Sequence, residues 1–422
     1  CKIIRFVKLW FLLIVLTFQQ RYDIFLISNC FKRMCCDTVV GGKMEVLGID
    51  IGFGFTKATD GEKTIIFKSI FGDASEIQFW ADFGDSIPTD HIHVTIDGKS
   101  YFVGDLAEQQ SSVLNFTLDQ ERLITDYVRI LALTIAGLFL KNNTPINVPI
   151  NVVSGLPIGY FKQNHERFNE ILTGHHSITY HSHNGEKSTR EIYINKVRML
   201  PQPLGSILNC LMDENGKIIN DELANQKVGV VDIGFRTTDF TILDNLRYID
   251  RGSRTFDNGI SKGFGVISNK LREKCGVSVE LYRLYKAAEE GTIKMRGHGF
   301  SFEKIRDQVY SQLASTIAND LDRLWADDWD IESIILTGGG CRELAKYLQP
   351  LITGNVIPVD SNSDPRLNNV LGYAKYGKYI WGEAVADNPA AKQAGTEQPE
   401  EESEPTTDAG EQFGQGRLSR VK

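Results

Sequence analysis

The sequence predicts an α/β protein of two similar lobes, on three observations. Its 422 residues exceed what one ordinary hydrophobic core holds. An acid-glycine phrase that reads as strand, turn, strand occurs twice. A glycine-rich turn then leads from an apolar run into an amphipathic stretch, as in a strand-turn-helix unit. With 42% hydrophobic and 24% charged residues, fully disordered and fibrous classes are excluded. The net charge of −8 gives no diffuse attraction to nucleic acid or to an anionic membrane, so neither is expected as a direct partner.

The two ends depart from this pattern. Residues 1–43 hold 7 Lys/Arg against 2 Asp/Glu, which leaves the rest of the chain at a net charge of −13. Lys2, Arg5 and Lys8 precede an apolar run over 9–18 that is too short to span a bilayer, and no small-x-small cleavage site follows it. An anchor and a signal remain as alternatives. The expected reading is a non-native upstream segment ahead of a natural start at Met44, because Gly41-Gly42-Lys43 can be encoded by a purine-rich GGAGG run. Residues 383–422 lack apolar periodicity and contain Pro399-Glu400-Glu401-Glu402-Ser403-Glu404-Pro405, so a disordered acidic tail is expected. Past Met44 the cysteines are Cys210, Cys275 and Cys341, without CxxC spacing, which suits reduced thiols and a cytoplasmic location.

The repeat carries the chemistry. Gly48-Ile49-Asp50-Ile51-Gly52-Phe53-Gly54-Phe55-Thr56-Lys57 is echoed 182 residues later by Val230-Val231-Asp232-Ile233-Gly234-Phe235-Arg236-Thr237-Thr238-Asp239. Each copy is an apolar strand, an acid, a glycine turn and a second strand. Glycine lets backbone N–H groups converge on an anion, with the neighbouring Thr hydroxyls as further donors, so phosphate is the ligand such a hairpin suits. An acid beside phosphate would repel it unless a divalent cation intervenes. Asp50 and Asp232 are therefore expected to face Mg²⁺, held largely through water. The third glycine element, Thr337-Gly338-Gly339-Gly340, precedes the amphipathic stretch from Cys341 and would let a flat ring or a phosphate lie against the backbone at a helix start. Neither GxxxxGK[ST] nor a helix-opening GxGxxG is present, which excludes a P-loop ATPase and a dinucleotide-binding oxidoreductase.

Two such hairpins and a distal TGGG resemble the superfamily of actins, heat-shock chaperones and sugar kinases. Intervening stretches narrow the likeness: Val152-Val153-Ser154-Gly155-Leu156-Pro157, Tyr101-Phe102-Val103-Gly104-Asp105, Met199-Leu200-Pro201-Gln202-Pro203-Leu204-Gly205 and Pro365-Arg366-Leu367-Asn368-Asn369 are similar to the ParM/StbA plasmid-segregation actins and their archaeal relatives. The resemblance implies two ribonuclease-H-like domains around a nucleotide cleft: domain I over 44–204 plus 367–382 and domain II over 205–366. It implies ATP, with GTP open, and Mg²⁺. It assigns Gly52, Gly54, Phe55, Thr56 and Lys57 to the first phosphate loop, Gly234, Arg236, Thr237 and Thr238 to the second, and Gly338, Gly339 and Gly340 to the adenine and ribose. Glu273 would reach the ribose, with a solvated helix face as its alternative.

Gln202 stands where segregation actins often carry an acid. An amide takes no proton at neutral pH and can only align the attacking water, so Gln202, with Asp50 and Asp232, is expected to support slow hydrolysis. The implied function is a nucleotide-driven, filament-forming protein that segregates plasmid DNA through a DNA-bound adaptor. The alternatives are a nucleotide-binding cytoskeletal scaffold and a chaperone-type ATPase, the latter lacking a recognisable substrate domain; a sugar kinase would need a carboxylate that Gln202 does not supply. His175, His176, His181 and His183 read as an edge strand or hairpin with polar residues outward, and Asp327, Asp328 and Asp330 as a solvated helix-end cluster.

Overall fold

The structure, a computed structural model, describes residues 45–75, 91–118, 126–140, 148–182, 184–357 and 364–382. The expectations for 1–43 and 383–422 lie outside the described residues.

The first repeat opens the larger sheet. β1 (Glu45–Ile51) is an apolar run that is buried from Leu47 onward, and β2 (Phe55–Thr59) returns antiparallel with Asp50 opposite Lys57. β3 (Thr64–Lys68) continues the meander. Then follow β4 (Phe71–Asp73), β5 (Ile92–Ile96), β6 (Lys99–Val103), β7 (Leu114–Asn115), β8 (Pro149–Leu156), β9 (Gly174–His181) and β10 (Lys187–Pro201). All eight residues of β8 are buried, as a strand between two parallel neighbours must be.

The second repeat opens a separate sheet with β11 (Lys227–Ile233), β12 (Thr238–Asp244) and β13 (Arg247–Phe256). After the detached hairpin β14 (Thr292–Met295) and β15 (His298–Ser301), β16 (Ser333–Thr337) and β17 (Val356–Ile357) complete it. The larger sheet runs β3-β2-β1-β8-β10 and then on through β9-β5-β6-β4-β7, while the smaller runs β13-β12-β11-β16-β17. Its first five positions therefore repeat the smaller sheet: a three-strand antiparallel meander extended by two parallel strands. This is the doubled ribonuclease-H-like architecture that the family resemblance implies.

Two helices lie between the sheets. Asn368–Trp381 packs on β1 and β8, and Gln202–Leu211 packs on it and on β11 and β12. A Cβ at Gly372 would fall on the Gly205 carbonyl oxygen, so the crossing is as close as two backbones permit.

Two sequence expectations are corrected. The hairpin reading of the histidine segment holds, since β9 pairs with β10, but β9 is no edge: β5 pairs along its other side. There His181 stacks on His93 at 4.2 Å, and His175 stacks on Tyr193; the His176 Nε2–H donates to the Leu172 carbonyl at 2.7 Å, and His183 lies outside the described residues. Asp328 is buried rather than solvated, held by both Arg251 and Lys227, because it ties the end of the helix Glu303–Leu324 to the smaller sheet.

Candidate active site

The carboxyl ends of β1 and β11 converge on one cleft, lined among others by Asp50, Gly52, Gly54, Phe55, Lys57, Gln202, Asp232, Gly234, Thr237 and Gly338 to Gly340. The two turns close in the same way. The Gly52 N–H donates to the Phe55 carbonyl at 3.1 Å, and the Gly234 N–H to the Thr237 carbonyl at 2.8 Å. The third turn is tied to the second hairpin, with the Gly340 N–H donating to the Ile233 carbonyl at 2.7 Å. Gly338 has φ of +90°, and a Cβ there would collide with an Asp232 carboxylate oxygen, so the position needs glycine on both counts.

Both acids are buried and partnered. Asp50 accepts from Lys57 Nζ at 2.5 Å and from Gln202 Nε2 at 2.9 Å. The first contact follows from strand register, the second from the direct passage of β10 at Pro201 into the helix that begins with Gln202. Asp232 accepts from Asn369 Nδ2 at 2.6 Å. Burial pushes its pKa up to about 6; the Asn369 hydrogen bond opposes this, the Asp50 charge adds to it and Lys57 offsets part.

The repeat is chemically asymmetric at one position. Seven residues after the acid, directly opposite it across the hairpin, the first copy has Lys57 and the second has Asp239. In the first the pair attracts. In the second, burial and then the neighbouring Asp232 raise Asp239 to about 7, against hydrogen bonds that favour its charged form. Those come from Thr255 Oγ1 at 2.5 Å, the Ile158 N–H at 3.0 Å and Thr237 Oγ1 at 3.2 Å. Ile158 opens the helix Ile158–Leu172 after β8, so Asp239 joins the smaller sheet to an element of the larger one. Sequence reasoning gave Asp239 no role, although its place opposite Asp232 follows from the repeat.

Aromatic residues form the upper wall. Tyr285, on the helix Leu284–Glu290, packs on Phe55 at 4.6 Å and on Phe235 at 5.1 Å, and so touches both hairpins. Its hydroxyl is buried against Gly54 without a hydrogen-bond partner among the described residues. The Arg366 guanidinium lies 5.3 Å from the centre of the Phe55 ring and pairs with Asp364. Tyr285, Arg366 and Asn369 also carry no sequence assignment; none belongs to the duplicated phrase, which was the strongest signal.

Four expected site residues lie off the cleft wall. Thr56 is buried against Ser69, and Thr238 donates to the Asn258 carbonyl, because alternation along a strand turns both away from the turn. Arg236 points to Asp257 at 3.3 Å. Glu273 sits on the exposed face of the helix Ser261–Cys275, paired with Lys270 at 2.9 Å, and is not among the residues that line the cleft.

Among the described residues, no group of three or more His, Cys, Asp or Glu is arranged to hold a metal. With both oxygens of Asp50 and one of Asp232 already hydrogen-bonded, the pair fits a cation that brings further oxygen ligands of its own, as a water-coordinated Mg²⁺ on a phosphate does. No helix among the described residues is long and apolar enough to cross a membrane.

Comparison with known proteins agrees with this architecture. The profile for the N-terminal domain of actin-like proteins matches residues 48–205, and that for the C-terminal domain of archaeal, MreB-like actin homologues matches 230–350. A 15-stranded ParM filament from Clostridium botulinum is similar at 25% identity and a TM-score of 0.68, covering 80% of this chain and 99% of that one. The archaeal actin homologue Ta0583 in complex with ADP gives 20% and 0.64, covering 80% and 100%. Bacillus thuringiensis ParM with AMPPNP gives 18% and 0.59, covering 78% and 97%. No curated protein matched the sequence. With both halves matched in order and the sheet order doubled, the chain belongs to the actin-like proteins and has the fold of the ParM-type ATPases.

Proposed function

We propose that the chain binds a nucleoside triphosphate with Mg²⁺ between its two acid-glycine hairpins, hydrolyses it slowly, and assembles into filaments that segregate plasmid DNA through a DNA-bound adaptor. The observation that carries this reading is the convergence of both copies of the repeat on one cleft, with a buried acid at the end of each first strand. Residues 44–204 with 367–382, and 205–366, act as the two jaws. ATP is favoured over GTP because similar proteins were solved with ADP and AMPPNP. The ParM filament among them supports self-association.

Gln202 positions water. Its Nε2 is committed to Asp50, which leaves Oε1 free of protein partners among the described residues and able to accept a hydrogen bond from an incoming water. Lys57 and the turn N–H groups balance phosphate charge, and Phe55, Arg366 and the Gly338–Gly340 turn offer a flat base an apolar face and a cation. Bound Mg²⁺, facing Asp50 and Asp232, would neutralise charge on the phosphate oxygens. Since an amide cannot remove the proton of that water, turnover is slow enough to time filament disassembly.

A scaffold that scarcely hydrolyses is the second reading, favoured by the double hold of Lys57 and Gln202 on Asp50. Light scattering after addition of ATP and Mg²⁺, with phosphate release followed in parallel, separates the two. A scattering rise with delayed release is expected; a rise without release supports the scaffold, and release without any rise removes the filament.

A further inference from the structure

Trp329 is 89% exposed, yet it is rigidly mounted. The preceding Asp328 accepts from Arg251 at 2.7 and 2.6 Å and from Lys227 at 2.8 Å. The Asp328 N–H donates to the Trp325 carbonyl at 2.9 Å, and Trp325 Nε1 to the Gly252 carbonyl at 2.8 Å. A large aromatic held out on a stiff turn has already lost the chain entropy that binding would otherwise cost. Its surroundings are acidic: residues 320–332 contain six Asp/Glu and one Arg, and Asp327 is exposed with no ion-pair partner among the described residues.

The hairpin β14–β15 has the opposite character. Residues 292–301 contain Lys294, Arg296 and His298 and no acid, and among the described residues neither Lys294 nor Arg296 is ion-paired. Lys294 stands opposite Gly299, where a Cβ would meet nothing, so the strand surface beside the lysine is open and flat. A ring laid on that glycine would have the Lys294 ammonium at its face. At the tip, Arg296 is exposed and holds φ of +50°, a left-handed conformation that costs energy in a residue with a Cβ.

These two patches sit at opposite ends of one element. Between them runs the helix Glu303–Leu324, 22 residues and therefore about 33 Å long. Its start is fixed to the hairpin side by the Phe302 N–H, which donates to the Gly291 carbonyl at 2.9 Å, and its end leads into Trp325. The patches cannot meet within one chain. Patches that are complementary rather than self-complementary make a heterologous contact, which repeats without closing when no rotation returns it to the start.

We propose that the Trp329 turn of one copy docks on the β14–β15 hairpin of the next, with Trp329 over Gly299 beside Lys294 and Asp327 facing Arg296. This rests on the filament reading and names its contact. The test compares the wild type, Trp329→Ala, and the double variant Lys294→Glu with Arg296→Glu, each with ATP and Mg²⁺ in sedimentation assays. Each variant should raise the critical concentration about tenfold or more, with nucleotide affinity and Tm unchanged, since every altered side chain is exposed. Mixing the two variants below their own critical concentrations should yield one-to-one dimers, because one intact Trp329 and one intact hairpin remain between them; each alone should stay monomeric at that concentration. Variants that assemble at the wild-type concentration, or a mixture that stays monomeric, overturn the contact while leaving the filament reading intact. A wild type that never assembles overturns both.

Discussion

Gln202, Lys57 and Asp239 show how little separates a structural from a chemical role at one residue. Lys57 and Gln202 hold the two oxygens of Asp50, and of the two only Gln202 keeps a free acceptor. Replacing Gln202 with Ala is expected to cut the hydrolysis rate per bound nucleotide by roughly 10²-fold while changing affinity only a few-fold. Single-turnover phosphate release beside a binding titration checks this, and lost binding with an unchanged rate would refute the assignment. Asp239 governs a pH effect. Its folded pKa of about 7 lies above the ordinary 3.8, so between those values the folded protein keeps a proton that the unfolded chain has released. Stability of the nucleotide-free protein therefore falls as pH rises from about 4 to about 7, and Asp232, at about 6, adds to the trend. Asp239→Asn should flatten the profile of Tm against pH and raise Tm at pH 7.5; an unchanged slope would mean that the carboxyl is already ionised in the fold.

At the scale of elements, the hairpins were legible and the helices between the sheets were not. The phrase Asp-Ile-Gly-Phe marks a strand end and a turn by itself, because an apolar run, an acid and a glycine each constrain the backbone locally. That the helices Gln202–Leu211 and Asn368–Trp381 cross at Gly205 and Gly372 depends on residues 167 positions apart, and no local pattern contains it. Gly372→Val should push the two backbones apart and cost on the order of 2–4 kcal/mol, measured by denaturant unfolding. A cost below about 0.5 kcal/mol would show that the crossing yields freely. The same distance effect explains Tyr285 and Arg366: each reaches Phe55 from a helix or turn far along the chain. Glu273 shows the converse: its helix is legible in the sequence, but the face it presents is set by packing on the helix Glu303–Leu324.

For the whole molecule, the repeated sheet order makes the cleft a joint property of both halves. A nucleotide gripped from both should stabilise the described unit as one body. At a concentration about 100-fold above Kd, ATP with Mg²⁺ should add roughly 2.7 kcal/mol and raise Tm, and EDTA should reverse most of that gain. A gain that EDTA leaves untouched would exclude Asp50 and Asp232 from metal binding. The net charge of −8 gives the chain no diffuse attraction to DNA, which is why the proposed function routes any DNA contact through an adaptor.

From the sequence alone came the α/β class, the duplicated acid-glycine hairpin, the glycine turn after β16 and the amide at Gln202, because each is written in adjacent residues whose backbone preferences and polarity act locally. Tertiary structure alone decided which groups share a proton, a ring or a charge: Lys57 with Asp50, Asp239 beside Asp232, Tyr285 across both turns, and Trp329 left outside. Those outcomes come from the folding of two sheets onto a pair of crossed helices, and burial and distance, which set pKa and contact, exist only once that packing is complete.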